Sequence, residues 1–358
     1  MPEIKQLITA VGSEIGRGHP AYLDSVIEAL SRQGYATPVV PAQGLGWRLA
    51  RRAYRIGAGG GPLTAVYNRM RGRRSRLELA LLDSGLRTRF DGFKGILLVD
   101  HPLLAHLLAP VCRVAYIHGE IAAPPVSAVP GAWRTFVPLE QTAARLETYG
   151  VRRETVAVSG LVIEPALVAG APDAFKGRVQ RLSSNQPLTV AFFTSGAYPK
   201  PHMRQLVLAG RSAAAAGHRV IAFCGTDHKK ATAIGSRLKS DGQVLVFDSR
   251  PAETERTAEL FSQLDVMVAA AHERTNWAVG LGLPLFALLP HIGPFALENF
   301  RFALAQGVCL PLEDASAFGA QLTSLRNSGK LAAMACAGWG KYPITGAQAV
   351  AASLRPSV

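Results

Sequence analysis

Short apolar runs recur along this chain, and most of them are followed by a stretch with the spacing of a helix. In the first half we predict strands at residues 7–11, 36–40, 95–100, 113–118, 134–138 and 155–160. Such near-continuous apolar runs are typical of parallel strands that are buried on both faces. Strands that alternate with helices favour a parallel, doubly wound α/β sheet, whose ligands gather at the carboxyl ends of the strands.

A second series of the same kind begins after a polar stretch at residues 170–187, which we interpret as a linker. Its predicted strands lie at residues 188–193, 218–224, 244–248, 265–268 and 284–289, and a last helix lies near residues 346–354. The sequence therefore predicts two α/β domains, at residues 1–168 and 186–340, followed by a C-terminal helix within residues 341–358. Two such domains in tandem usually bind a ligand in the cleft between them.

The turn after the first strand is rich in glycine and leads into a helical pattern at residues 21–31. It contains Gly16, Arg17, Gly18 and His19. Glycine lets the backbone approach a ligand closely, and the N–H groups at a helix start favour an anion. We interpret this turn as a ligand-binding loop with His19 facing the ligand, although a tight turn with a surface histidine explains the same residues.

The chain is strongly basic, with 39 Lys and Arg against 25 Asp and Glu and a formal net charge of +14. Such a charge attracts polyanions. Twelve of the basic residues lie in a basic segment at residues 47–95, where apolar side chains such as Trp47 are interleaved with them. This segment favours an anionic membrane surface, nucleic acid or a plain solvated face. No RNA-binding or zinc-finger spacing supports nucleic acid, so we do not expect it as a partner.

Three further patterns limit the class of protein. No run of about 18 apolar residues is present to span a membrane. The first residues lack the plan of a signal peptide, so we expect a cytoplasmic protein. The four cysteines are far apart and form no CxxC pair, so we expect neither disulfides nor a zinc site.

Four passages together point to a known family. They are Gly16-Arg17-Gly18-His19, residues 136–140 with residues 158–165, Thr194-Ser195-Gly196, and residues 265–268 with Gly282-Leu283-Pro284 and Glu298-Asn299. Their order and spacing resemble the two-domain GT-B glycosyltransferases. The branch most similar holds the N-acetylglucosaminyltransferase that makes lipid II and the monogalactosyldiacylglycerol synthases.

The resemblance implies two Rossmann-like domains that face a cleft, with the C-terminal helix packed back on the first. It implies transfer of a sugar from a nucleotide sugar, often uridine-linked, to an acceptor bound by the N-terminal domain, here a membrane lipid. It implies no metal ion and no cofactor, and the sequence has no Asp-x-Asp pair to hold a metal. The departing diphosphate would then be stabilised by backbone amides at glycine turns and helix starts.

The same resemblance suggests roles for individual residues. His19 would be the catalytic residue, as a general base or a positioning group, because an imidazole titrates near neutral pH. The candidates on the donor side are Ser195, Gly196, Thr226, Arg274, Thr275, Asn276, His291, Glu298 and Asn299. The candidates on the acceptor side are Gly16, Arg17, Gly18, His118 and Glu120. His101 also follows a predicted strand, where a histidine bonded into its loop is the simpler interpretation.

One departure from the family pattern leaves other functions open. A glutamate that binds the nucleotide ribose usually stands ahead of the Gly-Leu-Pro turn, where this chain has Trp277 or a neighbour. Glu273 would substitute if the register slips, and Arg274 would serve as a diphosphate clamp in place of amides. The alternatives are a nucleotide-sugar epimerase of the same fold, which predicts a carboxylate-rich cleft, and a non-catalytic GT-B protein that binds a ligand.

Overall fold

The structure, a computed structural model, describes residues 7–61, 63–71, 75–238 and 241–355. The chain divides into two compact units, and each contains one six-stranded parallel sheet. Unit 1 comprises the residues through Ile56, Ala65–Pro165 and the residues from Pro343 onward, and unit 2 comprises Gly57–Thr64 and Ala166–Tyr342. The predicted α/β architecture with two parallel sheets is confirmed.

The sheet of unit 1 has the strand order β2-β1-β3-β4-β5-β6. Its strands are β1 (Ile8–Gly12), β2 (Val39–Pro41), β3 (Ile96–Val99), β4 (Arg113–Ile117), β5 (Arg134–Val137) and β6 (Val156–Val158). Its helices are α1 (Gly18–Arg32), α4 (Arg76–Asp83), α5 (Leu86–Phe90), α6 (Pro102–Leu108), α7 (Glu140–Glu147) and α17 (Gly346–Ser353). The helices α2 (Leu45–Gly57) and α3 (Leu63–Arg71) lie mostly in this unit, and the residues Gly57–Thr64 between and within them are assigned to unit 2. Short 3₁₀ turns lie at Pro125–Ser127 and Arg153–Thr155.

The C-terminal helix α17 completes the core of unit 1. Its residues Ala347, Val350 and Ala351 are fully buried and join the apolar cluster that α1 forms with one face of the sheet. Burial of apolar surface at about 25 cal/mol per Å² is the main stabilising term at such a contact. The prediction that this helix packs back on the first domain is confirmed.

The sheet of unit 2 has the strand order β12-β11-β10-β7-β8-β9. Its strands are β7 (Thr189–Phe193), β8 (Arg219–Phe223), β9 (Gln243–Leu245), β10 (Val266–Ala269), β11 (Leu285–Ala287) and β12 (Cys309–Pro311). Its helices are α8 (Pro165–Ala169), α9 (Ala171–Leu182), α10 (Lys200–Ala215), α11 (His228–Leu238), α12 (Arg250–Phe261), α13 (Arg274–Leu281), α14 (Ala296–Ala305), α15 (Phe318–Asn327) and α16 (Lys330–Ala337). The strand β12 is an addition to the five that the sequence predicted.

The predicted linker at residues 170–187 is wrong, because most of it is the helix α9. Ala171, Ala174, Arg178 and Leu182 are buried at spacings of three and four, so one helical face packs into unit 2. The segment reads as polar because Arg178 counts as a charged residue in any sequence pattern. Its guanidinium is instead fully buried and donates to the carbonyls of Leu264, Leu281 and Gly282 at 2.8, 2.8 and 3.2 Å.

The basic segment forms the helices α2 to α5, and its tryptophan is not on the surface. Trp47 is fully buried in the core of unit 1, so the view of it as an interleaved surface residue is wrong. Arg73 and Arg74 lie outside the described residues. Large apolar side chains are nevertheless exposed on these helices, at Leu45, Leu49, Ile56, Val66, Leu77 and Leu81.

Candidate functional site

The strand order of unit 1 reverses between β1 and β3. The chain runs from β1 outward to β2 and then returns to β3 on the other side of β1. In parallel sheets the loops diverge at such a switch point and leave a crevice at the carboxyl ends of the two strands. The glycine-rich loop follows β1, and Asp100 and His101 follow β3. The switch point therefore brings together His19 and His101, which the sequence had placed on separate loops.

Hydrogen bonds to the Asp100 carboxylate fix the shape of the glycine-rich loop. Its carboxylate accepts the N–H of Ser13 at 3.2 Å and the hydroxyl of Ser13 at 3.3 Å. The same hydroxyl accepts the N–H of Ile15 at 3.2 Å, which turns the backbone toward α1. Arg51 of α2 donates to the carbonyl of Ser13 at 3.2 Å and ties the loop to a second element. Sequence reasoning left Asp100 out, although its place directly after a buried strand was a usable signal.

The three predicted residues that precede His19 shape the end of this loop. Gly16 has a φ of +74°, a left-handed conformation that costs glycine little, and a side chain there would meet the hydroxyl of Tyr54. The carbonyl of Arg17 accepts the N–H of Ala21 at 3.1 Å, so Arg17 is the residue from which α1 starts. Gly18 is the first residue of α1. His19 is half-buried in the first turn of the helix.

His118 and Glu120 follow the neighbouring strand β4, but both are buried within unit 1. His118 is fully buried; its Nδ1 lies 3.1 Å from the hydroxyl of Tyr116 and its Nε2 lies 3.0 Å from the carbonyl of Ala122. Burial lowers the pKa of His118 to about 4, so the ring is neutral near pH 7. Because both ring nitrogens have partners inside the unit, the geometry corrects the expectation that His118 contacts an acceptor.

Asp100 is expected to make the protein less stable as the pH rises from about 4 to about 7. Burial raises the pKa of its carboxyl to about 7 from an ordinary value of 3.8. Between these values the folded protein binds a proton that the unfolded chain does not, so the free energy of unfolding falls as the pH rises. Urea unfolding across this range measures the effect. As the pH rises, the free energy of unfolding of the wild type should fall relative to that of Asp100→Asn. A difference between these two free energies that stays constant with pH would contradict the raised pKa.

The sheet of unit 2 has its own switch point, between β7 and β10. Ser195 and Gly196 follow β7, and Arg274, Thr275 and Asn276 begin α13 after β10. Five of the predicted donor-side residues therefore lie at one edge of one sheet. The hydroxyl of Ser195 is buried and has no hydrogen-bond partner, and the same holds for the hydroxyl of Thr275. A buried hydroxyl without a partner costs about 1–3 kcal/mol, and a ligand that bonded to it would remove that penalty.

The backbone at the start of α13 does not offer the amides that the sequence suggested. The N–H of Thr275 donates to the carbonyl of His272 at 2.8 Å, and the N–H of Asn276 donates to the carbonyl of Glu273 at 3.1 Å. These two donors are satisfied within the turn. The prediction that this helix start stabilises a diphosphate through its amides therefore loses its support at these two residues.

Arg274 turns toward the interior of unit 2. Its guanidinium carbon lies 3.8 Å from the ring centre of Trp277 and 4.8 Å from that of Phe193, and the residue is 5% exposed. Trp277 itself is buried and packs edge-on against Phe193 and Phe261. Trp277, which stands near the position where the family has a ribose-binding glutamate, is thus part of the core of unit 2. Arg274 is held by cation–π contacts.

Two histidines hold the loop that follows β11. Nε2 of His202 lies 2.8 Å from the carbonyl of Pro290, and Nε2 of His272 lies 2.9 Å from the carbonyl of Ile292. Because a carbonyl only accepts, both rings carry a hydrogen on Nε2. Burial lowers the pKa of His202 to about 4 and also lowers that of His272. Sequence reasoning missed His202, which lies on a helix remote in sequence from this loop.

The predicted residue His291 lies on this same loop and is half-buried, with its ring 4.5 Å from that of Phe300. Burial lowers its pKa. Asn299 is buried on α14, and its amide donates to the carbonyl of Ala271 at 3.2 Å, after β10. It therefore connects α14 to the edge that carries Arg274.

Two other predicted donor residues lie on the surface. Glu298 is exposed and forms an ion pair with Arg301 at 2.8 Å. Thr226 is exposed in the turn after β8. No described contact places Glu298 or Thr226 at the β7–β10 switch point.

The fold matches solved structures over nearly the whole chain. A UDP-GlcNAc 2-epimerase from Neisseria meningitidis, bound to UDP-GlcNAc, has a TM-score of 0.61 at 14% identity and covers 97% of this chain and 99% of its own. MurG from Acinetobacter baumannii has a TM-score of 0.56 at 11% identity, with 98% and 99% covered. The chain has the GT-B fold. UGT2 from Phytolacca americana, complexed with UDP-2-fluoro-glucose and pterostilbene, has a TM-score of 0.57 at 13% identity, with 94% and 93% covered.

At these identities the likeness is one of fold. No protein-family model matches the sequence, and no curated protein is similar enough to count as a relative. Within the described ranges, no group of three or more His, Cys, Asp or Glu is placed to hold a metal ion. No helix in the part of the chain that the structure describes is long and apolar enough to cross a membrane.

Proposed function

We propose that this protein is an enzyme that transfers a sugar from a nucleotide sugar, with UDP as the nucleotide, to an acceptor. The observation that carries the proposal is the pair of buried, unpartnered hydroxyls of Ser195 and Thr275 at the β7–β10 switch point. Hydroxyls in this position would donate to phosphate oxygens or accept from the sugar. The fold is shared with proteins solved with UDP-GlcNAc and with UDP-2-fluoro-glucose, which supports a uridine-linked donor.

In this proposal unit 1 receives the acceptor. His19, in the first turn of α1, would accept the proton of the acceptor hydroxyl as that hydroxyl attacks the sugar carbon. The diphosphate leaves with the electron pair of the broken glycosidic bond, and the proton ends on the imidazole. A general base placed in this way contributes about 10²- to 10⁴-fold to a rate.

A thermal-shift screen against a panel of nucleotide sugars tests the donor assignment. A UDP-sugar present at 100 times its Kd should stabilise the protein by about 2.7 kcal/mol. The variant Ser195→Ala should weaken that stabilisation, whereas Ser183→Ala, at an exposed position of unit 2, should leave it unchanged. Stabilisation by no nucleotide sugar would instead favour a non-catalytic protein of this fold.

A second candidate function is epimerisation of a nucleotide sugar, and one observation favours it. Asp100 and Glu120 are buried after the adjacent strands β3 and β4, and the charges of both act on the Tyr116 hydroxyl. Epimerisation needs an acid and a base at one carbon, and carboxyl groups can serve in both roles. The two functions differ in one measurement, because an epimerase converts the nucleotide sugar with no acceptor present.

The acceptor side is proposed to face an anionic lipid surface. On α2 the exposed Leu45, Leu49 and Ile56 recur at spacings of four and seven and form one stripe, with Arg48 and Arg52 exposed beside it. An exposed apolar stripe flanked by arginines is the pattern of a helix that lies in a membrane interface.

The helix α4 extends this apolar surface. A side chain at Gly46 of α2 would lie 1.9 Å from the carbonyl oxygen of Leu81, so the two helices touch at that point. Leu77 and Leu81 of α4 are 78% and 68% exposed. The close approach at Gly46 therefore brings α4, which carries these two exposed leucines, against α2.

Sedimentation with vesicles tests this surface. Protein should bind vesicles that contain phosphatidylglycerol, binding should weaken as salt is added, and the double variant Leu45→Ser, Leu49→Ser should lose most of it. Leu304→Ser in α14 is the matched control, because Leu304 is also exposed, at 44%. Equal binding to neutral vesicles, or full binding by the double variant, would contradict the assignment.

A further inference from the structure

His101 is a second histidine at the β1–β3 switch point, and the proposed mechanism leaves it without a role. It follows β3 directly and is 6% exposed. Its backbone is extended, with φ −120° and ψ 135°, and Pro102 follows it as the first residue of α6. These are the features of a helix N-cap, the position where a side chain accepts a backbone N–H of the first turn.

The cap fixes which nitrogen of His101 carries a hydrogen. Its Nδ1 accepts the N–H of Leu103 at 3.2 Å. A nitrogen that accepts cannot carry a proton, so Nε2 of the neutral ring carries it. The cap also locks the ring against rotation, because turning it would break the bond to Leu103. His101 is thus a rigid imidazole with one defined tautomer.

This rigid ring contacts His19. The two ring centres lie 5.0 Å apart and the ring planes meet at 66°, an edge-to-face arrangement. Contacts of this kind between aromatic rings are directional and favour one orientation over others. His19 lies on α1 and His101 at the start of α6, so the contact joins two elements that belong to the two sides of the switch point.

We propose that His101 is the positioning residue of His19. The N-cap of α6 holds the His101 ring, and the edge-to-face contact holds the His19 ring in one orientation for its proton transfer. The inference rests on the proposed transferase function. It adds a residue that acts through His19.

Asparagine at position 101 separates positioning from capping. Asparagine is a good N-cap, so His101→Asn keeps an acceptor for the N–H of Leu103 but removes the ring. We expect its Tm to stay near that of the wild type, its kcat to fall about tenfold and its KM for the donor to be unchanged. The variant His101→Ala loses both the N-cap acceptor and the ring, so it should show a lower Tm as well as the lower kcat. A wild-type kcat in His101→Asn would overturn the proposal, because capping alone would then explain the residue.

An NMR measurement keeps the proposal testable if the chain turns over no nucleotide sugar. The imidazole Cε1–H signal of His19, assigned from its absence in His19→Gln, should shift in His101→Asn because the ring current of His101 is lost. A shifted signal together with no turnover by the wild type would keep the ring contact and reject the proposed function. An unshifted signal would reject the contact itself and with it the positioning role.

Discussion

Replacing His19 with alanine is expected to lower the rate of sugar transfer by about 10²- to 10⁴-fold while leaving donor binding nearly intact. The loss follows because the imidazole that is proposed to take the proton of the acceptor is removed. Donor binding should persist, because the residues proposed to bind the donor all belong to unit 2. Steady-state rates with donor and acceptor, together with titration of the donor alone, measure the two quantities separately.

The control for this substitution is a histidine in another environment. His228 lies on α11, with 63% of its side chain exposed, so His228→Ala should keep the wild-type rate. Transfer by His19→Ala at the wild-type rate would remove His19 from the mechanism. Loss of donor binding in that variant would show that the residue serves the donor rather than the acceptor.

Replacing Arg178 with alanine is expected to destabilise unit 2 by about 3–5 kcal/mol. The substitution leaves the buried carbonyls of Leu264, Leu281 and Gly282 without their donor, and it opens a cavity in place of a large, fully buried side chain. Burial lowers the pKa of Arg178 to about 9. Because this value still lies above neutral pH, the guanidinium stays charged there. Unfolding in urea, followed by Trp fluorescence, measures the loss of stability.

The same helix supplies the control for Arg178. Gln180 is exposed on α9, and Gln180→Ala should change the free energy of unfolding by less than about 0.5 kcal/mol. The nearby pair of Arg181 and Asp265, at 2.7 Å, remains in both variants. Equal stability of the two variants would mean that the bonds of Arg178 do not hold α9 to the unit.

Much of the fold could be predicted from the sequence, because strands buried on both faces are continuous apolar runs. The failures share a physical cause. The helix α9 was missed because Arg178 counts as polar in any pattern, and its burial depends on carbonyls from residues about 85 to 105 positions later. Trp47 was misplaced because a tryptophan among arginines has the same local pattern in a core as on a membrane.

The candidate site could be predicted only in part, for a related reason. The glycine-rich loop and Ser195 can be recognised from the local sequence, since both follow a strand and precede a helix. The bonds of Asp100 to Ser13 and the contact of His101 with His19 join residues more than 80 positions apart. Such pairs become neighbours only through the strand order β2-β1-β3, which apolar periodicity does not specify.

The burial of α17 in unit 1 has a consequence for synthesis of the protein. The part of unit 1 that leaves the ribosome first lacks α17, which follows unit 2 in the chain, so one of its apolar faces stays uncovered while residues 166–342 emerge. A fragment that stops at Tyr342 would keep that face open permanently and would be prone to aggregate. To express unit 1 alone, one would join α17 to the end of the segment at Pro165 by a short linker.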